Sequence, residues 1–80
     1  MMKVPTEIRQ MWTDAYNLLV DVYKNEEALN GTADDFFGNL IERMQNESVA
    51  HHEHPHINDL LLAVYDQAAR LWKEKHNATA

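Results

Sequence analysis

Apolar residues recur at intervals of three and four along almost the whole chain, and that period breaks in only two places. Such spacing is the signature of one buried helix face, and no segment shows the alternation expected of a half-buried strand. The first break is Asn30-Gly31-Thr32 and the second is the tract from His51 to Pro55. The chain therefore predicts an all-α fold: a small antiparallel bundle of three helices, or four if residues 25–29 make a separate turn. With 80 residues and no long linker, it is a single helical domain spanning 1–80.

The first helix is expected over residues 5–24, opening at Pro5, whose missing N–H suits a first turn. Its apolar face is Ile8, Met11, Trp12, Ala15, Leu19, Val22 and Tyr23, flanked by Tyr16 and Leu18. Asn30-Gly31 closes the next segment, since both residue types tolerate the left-handed conformation of a helix end. Thr32 is the expected N-cap of a second helix over 33–47, with Asp35 completing an imperfect capping box. This helix buries Phe36, Phe37, Leu40, Ile41 and Met44, and carries Gly38 on its opposite side.

Pro55 disfavours helical geometry at His54, so the third helix is expected over 55–76. Its main apolar face is Ile57, Leu60, Leu61, Val64, Ala68, Leu71 and Trp72. Leu62, Tyr65 and Ala69 widen this to an arc of roughly 200°, more than a surface helix needs. Either the third helix touches both others, or these three residues face a protein partner or a second copy of the chain. The last residues, 77–80, are expected to fray.

Charge excludes more than it identifies. Seven basic against thirteen acidic residues give a net charge of −6. Direct nucleic-acid binding is not expected, because phosphate contacts need clustered Lys and Arg. Glu7, Asp14 and Asp21 recur every seven residues beside the first apolar stripe, and Asp34, Asp35 and Glu42 add negative charge on the second helix. These six are the acidic candidates for meeting a basic partner surface, the other reading being ordinary solubilising charge. The longest unbroken apolar run is Leu60 to Val64, too short to span a membrane. The first residues lack the apolar core of a secretion signal, so a cytoplasmic location is expected.

Catalytic patterns are missing. The chain has no cysteine, which removes thiol chemistry, disulfides and Cys-based zinc sites. Its one serine, Ser48, lies in no nucleophile elbow, and its two glycines make no phosphate loop. Glu26 and Glu27 are adjacent and do not converge on one substrate. A non-enzymatic role is expected.

Four of the five histidines stand in His51-His52-Glu53-His54-Pro55-His56. In an extended backbone His52, His54 and His56 would point to one side. Those three are therefore candidate ligands for zinc or another divalent transition metal, and the tract is a candidate pH sensor. The other reading is a polar loop whose histidines are solvated or cap the third helix.

Glu53-His54-Pro55 followed by Asp59-Leu60 is similar, in type and order, to a segment of the acidic helical immunity proteins that neutralise colicin nucleases. The Tyr-Tyr-Pro that follows in that family is absent, Leu61-Leu62-Ala63 standing there, and no family is assigned. The sequence is thus most consistent with a small acidic protein-binding module. An inhibitor or regulator of the type that phages and mobile elements encode fits that description. Metal or pH sensing through the histidine tract, and homo-oligomeric assembly through Leu62, Tyr65 and Ala69, are the alternatives.

Overall fold

A computed structural model describes residues 1–77. They form helices α1 (Thr6–Lys24), α2 (Glu26–Leu29), α3 (Ala33–Ala50) and α4 (Pro55–Asn77), with no strand among the described residues. The expected fraying of the terminus falls mainly on 78–80, outside the described residues.

Side-chain pairings set the chain directions. Asp14 of α1 meets His51 beyond α3, and Asp21 meets Arg43, so α1 and α3 are antiparallel. Trp12 meets His56 and Tyr23 meets Gln67, the same number of residues further along each helix, so α1 and α4 are parallel. The path is up, down, up, with α2 a single turn at one end. Met11 and Leu18 of α1 and Ile57 of α4 are the most completely buried large side chains. Burial of each contributes about 2 kcal/mol. Phe36 and Leu40 of α3, Leu29 of α2, and Leu60, Leu61, Val64 and Ala68 of α4 complete the core. At the far end Phe36 stacks on Trp72, ring centroids 5.0 Å apart, and Phe37 packs edge-on against Phe36.

The boundaries follow local chemistry. Asn25 leaves helical geometry at φ −90°, ψ 72°, and its side chain accepts from the Ala28 N–H at 3.1 Å, capping α2. The Thr32 hydroxyl accepts from the Asp35 N–H at 3.2 Å, the N-cap the sequence leads one to expect. His54 does the same for α4 through its ring, Nδ1 accepting from the His56 N–H at 3.0 Å.

Two expectations are corrected. The second long helix runs past residue 47 to Ala50. The left-handed residues are not Asn30 and Gly31 but His52 and Glu53, with φ of 57° and 56°. The Glu53 N–H donates to the Ser48 carbonyl at 2.7 Å and the His52 N–H to that of Val49 at 3.0 Å. This is the paired bonding of a Schellman turn, made without glycine. It reverses the chain where an extended strand of histidines would have carried it away from the bundle.

Two substitutions test this description. An added Cβ at Gly38 meets nothing within 4 Å, so Gly38→Ala should stabilise by about 1 kcal/mol. His52→Gly relieves a side chain held in the left-handed region and should gain a similar amount, about 1 kcal/mol. Each raises the melting temperature by about 5 °C in a domain of this size. Thermal denaturation followed by circular dichroism reads both, and a fall for His52→Gly would contradict the turn.

Candidate functional site

The parallel packing of α1 on α4 leaves a groove on the side away from α3. Trp12, Ala15, Tyr16 and Leu19 of α1 face Leu60, Ala63 and Val64 of α4 across it. It continues along α1 through Val20, Tyr23 and Lys24 to Gln67, whose Nε2 donates to the Tyr23 hydroxyl at 2.9 Å. The spacing of Trp12, Tyr16, Leu19 and Tyr23 places them on one helix face. Trp12 is 56% exposed, Tyr16 65% and Tyr23 47%. Three aromatic rings in one exposed row exceed the scattered apolar surface that is normal for a folded chain.

Sequence periodicity placed Trp12 and Tyr23 in the core and Leu18 at its edge. The structure reverses this: Leu18 is 2% exposed, and Met11, Ala15 and Val22 share its buried face. The apolar arc of α1 is wide enough to serve both the core and the groove, and residues one position apart fall on different sides of that division. The width of that arc is the signal in the sequence for a second face. On α4 the extra face turns largely inward: Tyr65 is half-buried against Phe37, ring centroids 5.6 Å apart, and Ala69 is half-buried. Leu62 stays 58% exposed, beside Met44 and Ile41 of α3, and Ile41 is itself 42% exposed instead of buried as its spacing predicts.

The acidic candidates separate into two groups. Asp21 pairs with Arg43 at 2.8 Å, both about half exposed. Asp14 accepts from Gln10 Nε2 at 2.9 Å and lies 2.6 Å from His51 Nε2. These two carboxylates tie α1 to α3 and its C-terminal turn. Glu7, Asp34, Asp35 and Glu42 are exposed. Asp59 and Asp66 of α4 are exposed as well, at helical spacing from Ala63.

The histidine tract does not form the cluster its alternation predicts. His52 projects from the left-handed turn and is exposed, His54 caps α4, and His56 rests against Trp12, ring centroids 5.8 Å apart. His52, His54 and His56 are therefore not gathered as a ligand set. His51 instead turns inward, its side chain 10% exposed, onto Asp14 and near Glu47. This neighbour is 37 residues away in sequence, beyond the reach of any spacing argument.

Among the described residues no helix is long and apolar enough to cross a membrane. Comparison of the chain with family models, curated proteins and solved structures returned no match.

The two cross-links between α1 and α3 differ in burial and hence in worth. Arg43→Ala removes an exposed ion pair and should cost under about 1 kcal/mol. His51→Ala removes a mostly buried ring and its bond to Asp14, and should cost about 2 kcal/mol. Chemical denaturation of the two variants beside the parent gives the comparison, and equal losses would show that the His51 contact is no better than a surface pair.

Proposed function

We propose that this chain is a protein-binding module, acting in the cytoplasm as an inhibitor or regulator rather than as an enzyme. Its docking face is the α1–α4 groove, and its occupant is an amphipathic helix of a partner protein with a basic flank. The supporting observation is the exposed row of Trp12, Tyr16 and Tyr23 beside an open apolar groove. Two parallel helices with an uncovered seam present the same surface that a further helix would occupy in a larger bundle. Aromatic anchors suit this role, because they bring large apolar area at small cost in side-chain entropy.

Charge supports the choice of occupant. The net charge of −6 raises the encounter rate with a basic partner. The exposed carboxylates Glu7, Asp34, Asp35, Glu42, Asp59 and Asp66 supply the long-range field, while Lys24 is, among the described residues, the one charged side chain that lines the groove itself. Asp14 and Asp21 have a smaller part here, being already engaged with His51 and Arg43. The preference for interaction over catalysis draws on the same groove, which is shallow and apolar instead of enclosing acid–base groups.

The parent chain, Trp12→Ala and Tyr16→Glu should be compared as bait in lysate of the source cell, at low and high salt. The reading expects a stoichiometric protein held by the parent, lost at least tenfold in both variants, and weakened by salt. Trp12 supplies a second readout, since burial of its ring on complex formation shifts its fluorescence. Capture that survives both variants would move the interface off the groove. A concentration-dependent dimer abolished by the same variants would assign the groove to a second copy and overturn the heterologous reading.

A further inference from the structure

We infer that Asp14, Glu47 and His51 form a binding site for one divalent transition-metal ion of the zinc type. This goes beyond the docking reading and does not depend on it. One ligand atom from each residue lies within 4.8 Å of the others. Asp14 comes from the middle of α1, Glu47 from the last turns of α3, and His51 from the residue that ends α3. Glu47 and His51 are four apart, so α3 itself puts them on one side. The Schellman turn at His52 and Glu53 then carries the chain away and leaves the His51 ring facing α1.

The donor set selects the ion. An imidazole nitrogen with two carboxylate oxygens suits zinc and its transition-metal neighbours, whereas magnesium and calcium favour all-oxygen shells. Two carboxylates and a neutral imidazole carry a charge of minus two, which a divalent cation cancels. Without a cation, only one close contact joins the three groups, His51 Nε2 to Asp14 Oδ2 at 2.6 Å. No hydrogen bond or ion pair reaches the Glu47 carboxylate from the described residues, although Glu47 is only partly exposed. A carboxylate held near a second carboxylate without a cationic partner is electrostatically unfavourable, and a metal ion reverses the sign of that interaction.

The geometry requires modest movement. Bonds of about 2.0–2.1 Å in a tetrahedral shell set ligand atoms about 3.3 Å apart. The Asp14–His51 contact must therefore open from 2.6 Å, and Glu47 must close in by a change of rotamer. Gln10 holds the other oxygen of Asp14 at 2.9 Å and so orients this ligand from outside the shell. Three protein ligands leave the fourth position to water. The ion would bind α1 to the end of α3, so its binding adds to the stability of the fold.

The test is titration of tag-free protein with zinc chloride, by calorimetry and by thermal denaturation, and with cobalt chloride by visible absorption. Expected are one ion per chain, a melting temperature raised by about 15 °C at hundredfold saturation, and the intense visible bands of tetrahedral cobalt. Glu47→Gln, which disturbs no hydrogen bond, should weaken binding at least tenfold while circular dichroism stays unchanged. Asp14→Asn should do the same. A His52→Ala/His54→Ala double variant should bind as the parent does. The proposal is overturned if zinc leaves the melting temperature unchanged. It is equally overturned if the double variant loses the ion while Glu47→Gln keeps it, which would place the metal on His52 and His54.

Discussion

The parallel seam between α1 and α4 is the constraint on which the rest of the structure depends. An up-down-up chain has to bring its first and last helices side by side in the same direction. Their dipoles then run alike, which is mildly unfavourable, so the pairing rests on apolar burial. Met11, Leu18 and Ile57 supply it and are almost wholly removed from water. The antiparallel α3 covers one side of the seam. Among the described residues no further helix of comparable length covers the other. The radius of gyration of 14.1 Å, against about 12 Å from the scaling for compact domains of this length, reflects an elongated form of 50 × 26 × 18 Å.

Much of the architecture is local and was therefore legible. Thr32 before Asp35, and Pro55 after His54, act within a few residues of themselves, and both mark helix starts in the structure. The period of the apolar residues likewise declares three long helices. What period cannot declare is which neighbour covers a given part of a face. Trp12 and Leu18 both satisfy the helical spacing, yet one is 56% exposed and the other 2%. That division is decided by where α4 lies across α1, a tertiary matter. The wide arc on the third helix raised the same question, and there contact with both α1 and α3 accounts for most of it.

The histidine tract shows a different limit. Alternation in sequence means a shared side only if the backbone is extended, and here the backbone has to reverse direction between two long helices. The reversal falls on His52 and Glu53 in left-handed geometry, and it gives each neighbouring histidine separate work. His51 reaches across to Asp14, His54 caps α4, and His56 lies against Trp12. A run that resembles a metal-binding tract is thus a connector whose members grip two helices. His51 owes its setting to Asp14 and Glu47, of which the first lies on another helix.

These contacts place α1 between two surfaces of unlike chemistry. Asp14 and Asp21 point toward α3, while Trp12, Tyr16, Leu19 and Tyr23 point toward the groove. The connector touches both sides, since His51 meets Asp14 and His56 meets Trp12 within one turn of α1. Anything that fixes His51 against α1 restrains the segment that also carries His56, and so the wall of the groove at Trp12. The two surfaces share α1 and this short connector but no side chain. Substitution at Glu47 leaves the groove's own residues intact, and substitution at Tyr16 leaves the three ligand residues intact. The proposed docking surface and the proposed metal site are therefore chemically separable, and the α1 backbone and the packing of His56 on Trp12 are the two physical links between them.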